Sequence, residues 1–347
     1  MKTDPLLHRS LRRKGKSQRG SALIAALCLI FMAGMLTGSV LMISGITTHD
    51  VHAHVELQRS AYINEGTANR IAYLIAADRH VNSASTRLGE LDYNEFDYDR
   101  FAADGIPHII DYHGTPVQVT LTDAVSGFDL SSSSYRNTLN RIAGALELDD
   151  NEIRDKTDTL IARIQDYLDS DENLTDDGME RTEYESANLM ELPRNGNMYF
   201  REEFAFIPGL AEMFSPDENG ILSSIRLLTP QGMTSLNANG SRPSIITASP
   251  LVLKVYGNLE DEEVEEIVKA RKEWFKNKTP LTEQLDALLL GRLYNSFSFN
   301  ESGFFTVRIG TPEKEVRPSR KLEYTFAAFG VGGPRDQKLH FYDWIMF

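Results

Sequence analysis

From Ser21 to Ile46 the chain reads SALIAALCLIFMAGMLTGSVLMISGI, without one Asp, Glu, Lys or Arg. No other stretch limits the fold as much. At ~1.5 Å per helical residue this run is ample to cross a hydrocarbon core of roughly 30 Å. Lipid offers no partner to a free backbone N–H or C=O, so a run that enters it must be helical. Residues 1–20 hold seven basic side chains (Lys2, Arg9, Arg12, Arg13, Lys14, Lys16 and Arg19) against Asp4. That excess predicts a cytoplasmic N-terminus, a single crossing, and everything beyond Asp50 on the far side.

The leader and the body differ in charge. Residues 1–20 carry +6, so the rest carries −20 within a whole-chain charge of −14. Affinity for a phosphate backbone comes from Lys and Arg, and an acidic, non-cytoplasmic body argues against nucleic acid as a partner. The single cysteine, Cys28, lies inside the apolar run and reads as a small filler there, which rules out an internal disulfide or a Cys-based zinc site.

Helical periodicity continues past the run. Ala68, Ile71, Ala72 and Ile75 stand at i, i+3, i+4 and i+7, one buried helical face, with Gly66 as a weak point. The spacing predicts one N-terminal helix over 21–82, in the membrane over about 21–46. His49, His52 and His54 follow the run and read as a solvated face.

Residues 83–115 are mixed, punctuated by Gly105, Pro107 and Gly114; then 116–122 (PVQVTLT) alternates as a β-strand. From Tyr135 to about Asn300 the pattern is helical: Leu139 and Ile142, then Thr157, Leu160, Ile161 and Ile164, then Val264 and Ile267. Ser249-Pro250 and Thr279-Pro280 each read as an N-cap followed by a proline at the first helical position. After Gly303 alternation returns in Phe305, Val307, Ile309 and in Leu322, Tyr324, Phe326. The expected fold is α+β: a long N-terminal helix on an antiparallel sheet from 83–134 and 301–347. A large all-helical insertion over 135–300 would interrupt it, its short paired helices like a sterile-alpha-motif or helix-hairpin-helix module.

One constellation carries chemistry. Residues 169–180 read DSDENLTDDGME, in which Asp169, Asp171, Asn173, Asp177 and Glu180 take the side-chain positions of a twelve-residue calcium loop and Thr175 offers its carbonyl. Leu174 replaces the usual glycine, so the expectation is a structural calcium loop of similar ligand order, not an EF-hand, with a Kd in the ~10⁻⁴–10⁻³ M range. The turn Ile207-Pro208-Gly209-Leu210 suggests a DNA-binding hairpin, but Glu202, Glu203 and Glu212 surround it, and packing is the better reading. No GxSxG, HExxH or P-loop is present, and no enzyme is expected.

Arg19-Gly20-Ser21-Ala22-Leu23 places a small residue before the apolar run. A secretory signal would have a shorter run with its cleavage site behind it. The arrangement resembles the processing site of prepilins and pseudopilins, which implies that a prepilin peptidase cuts after Gly20 and methylates Ser21. Most members carry Glu at the fifth mature position; here it is Ala25, as in the minor pseudopilin K family of type II secretion. Further stretches resemble that family in order: Asp123 to Leu130 (DAVSGFDL), Asp166-Tyr167-Leu168-Asp169-Ser170-Asp171, Gly178-Met179-Glu180 with Tyr184, Phe204 to Leu210, Thr234 to Asn239 (TSLNAN), and Pro250-Leu251. The resemblance implies a pilin-like, non-catalytic subunit in the bacterial inner membrane with a periplasmic body, at the tip of a pseudopilus beside minor pseudopilins I and J. The rival readings are a minor pilin of a DNA-uptake or type IV pilus system, and a plain signal-anchored periplasmic domain.

Overall fold

A computed structural model describes residues 19–82, 103–130, 135–145, 150–189, 192–196, 198, 201–214, 224–225, 242–277, 279–312, 318–328 and 340–347. The leader up to residue 18, residues 83–102, residues 131–134 and the 234–239 segment lie outside them. Met1–Gln58 and Arg59–Phe347 form two compact units. The first helix, α1 (Arg19–Asn82), begins in one and ends in the other.

In the first unit the apolar side chains from Leu23 to Ile46 are exposed along the whole run. Hydroxyls in the run and just past it bond back onto the helix: Thr37 to the Ala33 carbonyl at 2.8 Å, Ser39 to Leu36 at 2.9 Å, Thr47 to Ile43 at 2.9 Å, Thr48 to Ser44 at 2.8 Å. A hydroxyl satisfied in this way can enter an apolar environment at little cost. The helix is long and apolar enough to cross a membrane once. His49, His52, His54 and Cys28 are exposed on it.

In the second unit a five-stranded antiparallel sheet runs in the order β1 (Pro107–Tyr112), β2 (Thr115–Asp123), β3 (Phe304–Gly310), β4 (Leu322–Ala327), β5 (His340–Met346). Val119 pairs with Ile309, and Val307 sits between Leu121 and Tyr324. The register puts the alternating apolar set on one face, where Ala68, Ile71, Ala72 and Ile75 cover it. All four are fully buried, as their spacing predicts. Burying Ile71 and Ile75 contributes about 1.5–3 kcal/mol each, and the Tyr324 hydroxyl adds a bond to the Ala68 carbonyl at 2.9 Å.

Strand β1 goes beyond what the alternation predicts. It is short, starts at a proline and lies at the sheet edge with a mostly exposed face, so it carries little periodic signal. His113 (φ 50) and Gly114 (φ 80) make the two-residue turn to β2 with both central residues left-handed, as a hairpin of this length requires. Gly66, a weakness when only propensity is considered, gives this hairpin room: a Cβ there would stand 2.1 Å from the Tyr112 hydroxyl.

Between β2 and β3 come α2 (Tyr135–Ala145), α3 (Asp150–Leu168), α4 (Arg181–Ser186), a 3₁₀ turn (Arg201–Phe206), α5 (Leu210–Met213), α6 (Pro250–Gly257), α7 (Asp261–Asn277), α8 (Leu281–Gln284) and α9 (Ala287–Ser296). They share a core of their own, with Trp274, Tyr184, Phe204, Phe214 and Phe297 among its largest fully buried side chains. Ser249 caps α6 by accepting from the Val252 N–H, with Pro250 at its first turn. Thr279 does not cap: α8 begins one residue later than expected, behind an extended Pro280 (ψ 144). Arg271 is held inside by the carbonyls of Ile245, Ile246 and Ala248, and desolvation lowers its pKa to about 10.

Two polar ties join sheet and helices. Asp123 ends β2, and its buried carboxylate accepts from Val125 N–H (2.9 Å), Ser302 N–H (2.7 Å) and Ser302 Oγ (2.7 Å). One side chain therefore clasps both strands of chain that enter and leave the helical region. The second tie is Glu323 on β4, which pairs with Arg308 on β3 and with Arg201 of the 3₁₀ turn. These groups line a polar cavity of about 270 Å³ beside Thr120 and Thr306.

Candidate metal centre

The last turn of α3 holds Asp166 and no basic residue, and Asp169 follows directly after the helix. Asp166 and Asp169, at i and i+3, share a face there, beside the negative end of the helix dipole. Placing acids at that end is unfavourable unless something positive compensates. Glu180 returns to the same place at the N-cap position of α4. Ligand oxygens of Asp166, Asp169 and Glu180 all lie within 4.8 Å of one another.

The group is buried and poorly satisfied. Asp166 is 0% and Glu180 3% exposed. Asp166 Oδ2 accepts from the Thr175 N–H at 3.2 Å. Among the described residues, Asp166 Oδ1, Asp169 Oδ1 and both Glu180 carboxylate oxygens have no hydrogen-bond partner, and neither does the buried Tyr184 hydroxyl. Orphaned buried oxygens are rare in folded proteins because each loses its hydration without replacement. Burial, and then the neighbouring Asp166 and Asp169 charges, push the Glu180 pKa up to about 7; Asp169 is raised by burial and by Asp171 and Asp166.

A hard cation takes oxygen ligands at about 2.3–2.6 Å. Oxygens arranged around one such ion are therefore at most about 5 Å apart, and the three carboxylates fit that limit. Among the described residues the cluster holds carboxylates and no thiol or imidazole, so the donor set suits calcium better than a softer transition metal.

The five sequence-predicted ligands divide. Asp169 and Glu180 belong to the cluster. Asp171 is exposed: its carboxylate accepts from the Asn173 N–H at 2.9 Å, and its carbonyl accepts from the Asn195 side chain at 2.9 Å. Asn173 is exposed, and Asp177 is exposed with φ 64, turning the chain just before Gly178. The loop turns there and not at Leu174, which breaks the twelve-residue ligand order. Asp166 lies outside the predicted set; its i, i+3 spacing from Asp169 is the signal in the sequence that points to it.

The chain also resembles a solved structure. No family model and no curated protein matches it. Among solved structures it is similar to a chain of the GspK–GspI–GspJ complex from the type 2 secretion system of enterotoxigenic Escherichia coli, at 14% identity and a TM-score of 0.43, over 81% of this chain and 99% of that one.

The remaining candidates lie elsewhere. Gly20 and Ser21 are in the first turn of α1. The Ile207–Leu210 turn packs on α3: Arg163 Nη1 donates to the Pro208 carbonyl at 2.7 Å, and Gly209 has φ 89. A Cβ at Gly209 would stand 3.3 Å from both Arg163 Nη1 and Leu160 Cδ2, so the glycine serves a close approach between protein segments.

Proposed function

We propose that this chain is a minor pseudopilin of a type II secretion system, of the K kind, and a structural, non-catalytic subunit. It is made as a bacterial inner-membrane precursor with its N-terminus in the cytoplasm and its body in the periplasm. A prepilin peptidase cuts it after Gly20 and methylates Ser21. Its apolar helix then enters the pseudopilus, where the body sits at the tip with I- and J-type minor pseudopilins and supports protein export. The observation that carries this reading is α1 itself. Its charge-free run leaves every large apolar side chain exposed, while Ala68, Ile71, Ala72 and Ile75 further along it cover an antiparallel sheet. Ala25 supports the tip position, because a tip subunit has no neighbour above it whose N-terminus a carboxylate at that site would meet. In a host with a prepilin peptidase, the full chain shortens to a form beginning at methylated Ser21, and Gly20→Val abolishes the shift. Absence of any shift for the wild type would reduce the reading to a plain signal anchor.

The cluster at the end of α3 is proposed to hold a structural calcium ion, with Asp166, Asp169 and Glu180 as carboxylate ligands. Bound there, the ion supplies the positive charge that these crowded oxygens lack. With a Kd in the ~10⁻⁴–10⁻³ M range, calcium at about 2 mM stabilises the body by roughly 0.5–2 kcal/mol. Removal by chelator therefore lowers the thermal midpoint of the full chain in detergent by a few degrees. An unchanged midpoint would remove the ion from the account.

A further inference from the structure

Gly178 is the point at which a side chain would strike the carboxylate cluster. A Cβ there falls 2.0 Å from Asp166 Oδ2, 2.7 Å from Asp166 Cγ and 3.0 Å from the Thr175 carbonyl oxygen. Gly178 is not among the left-handed positions of the chain, so its glycine is needed for space and not for backbone freedom. The same turn holds the carboxylate it accommodates. Gly178 N–H donates to the Thr175 carbonyl at 2.8 Å, and Thr175 N–H donates to Asp166 Oδ2 at 3.2 Å. One oxygen of Asp166 is thereby fixed by the 175–178 turn, and the other is left orphaned.

The geometry assigns Gly178 as the positioning residue of the cluster. Its missing side chain lets the turn close on Asp166 and lock that carboxylate where, with Asp169 and Glu180, it takes up a divalent cation. This assignment rests on the reading of the cluster as a cation site. A methyl group at 178 cannot be absorbed by a flexible tip, because Asp166 is buried on a helix and Thr175 meets the methyl with its backbone. The carboxylate has to leave its position, and the ligand set is broken without a ligand being mutated. Disturbing a residue that orients a metal ligand commonly costs about 10- to 100-fold in affinity.

Terbium, a hard trivalent ion of calcium's size, is the probe, read by luminescence sensitised through Tyr167 and Tyr184 on the full chain in detergent micelles. Gly178→Ala is expected to weaken binding about 10- to 100-fold, while Gly144→Ala, whose Cβ meets nothing within 4 Å, leaves it unchanged. In chelator, the unfolding midpoint of Gly178→Ala stays within a few degrees of wild type. In an Asp166→Ala background, Gly178→Ala costs far less, since the carboxylate it would displace is gone and only the 3.0 Å approach to the Thr175 carbonyl remains; a glycine that only kept the loop folded would cost the same in both backgrounds. Wild-type affinity in Gly178→Ala, or an equal loss in both backgrounds, would overturn the assignment and leave the cation site standing. No saturable, calcium-competed binding by wild type would overturn both.

Discussion

Glu323→Ala lowers the stability of the body by about 3–5 kcal/mol. The Glu323 side chain is 3% exposed and accepts from Arg201 Nη2 at 3.0 Å and from Arg308 Nη2 at 2.7 Å and Nε at 2.9 Å. Arg201 is 6% exposed, so removing the carboxylate strands a guanidinium away from water, with Glu202 at 3.3 Å as its remaining ion pair among the described residues. The penalty is that of a buried, half-compensated charge, larger than the value of the lost bonds. Arg308, with a third of its side chain exposed, can rehydrate, and Arg308→Ala costs only about 1–2 kcal/mol. Replacing both buried partners, Arg201→Met with Glu323→Met, removes the stranded charge and returns most of the loss. Urea unfolding of the full chain in detergent, followed by Trp274 and Trp344 fluorescence, measures all four proteins. A Glu323→Ala loss below about 0.5 kcal/mol would show that Arg201 finds water or another acid.

Asp123 gives the second large effect, and it depends on pH. Burial raises its pKa from 3.8 to about 6, against the pull of the Ser302 and Val125 hydrogen bonds. The folded state therefore holds the proton more tightly than the unfolded chain. Its stabilising contribution is full below pH 3.8 and is lost as pH rises through about 6. A carboxyl that binds its proton about a hundredfold more tightly when folded is worth roughly 3 kcal/mol. Asp123→Asn cannot titrate, and its amide donates where Ser302 N–H needs an acceptor, so it carries a constant loss. Wild type is thus expected to gain roughly 2 kcal/mol of this on the variant between about pH 6 and pH 4. Paired unfolding curves across that range isolate the Asp123 contribution, because Glu180 and the other acids titrate in both proteins. A difference that stays flat with pH would mean that Asp123 is charged in the folded body throughout.

The sheet and the helix that covers it are largely legible in the sequence. Alternation in Phe305, Val307, Ile309 and in Leu322, Tyr324, Phe326 marks two strands, because a residue's neighbours in a strand fix which face it points to. The stripe from Ala68 to Ile75 marks the helix for the same reason. β1 escapes because none of its residues is fully buried and Ile109 puts an apolar side chain on its exposed face, which blurs the alternation. The acidic loop is recognisable as a stretch where carboxylates gather, but a twelve-residue template picks them by position alone. The chain turns at Asp177–Gly178, so Asp171, Asn173 and Asp177 face solvent while Asp166, upstream of the template, enters the cluster.

The sequence by itself determined where this protein is apolar enough for a membrane, which helical and strand faces are buried, and where acids are concentrated. Each of these follows from local periodicity and composition. Only the tertiary structure decided which carboxylates converge, that Gly66 and Gly178 stand where other side chains need their space, and that Glu323 on β4 meets Arg201. Those contacts join segments whose spacing along the chain carries no periodic signal, and they exist only once helices and sheet have packed.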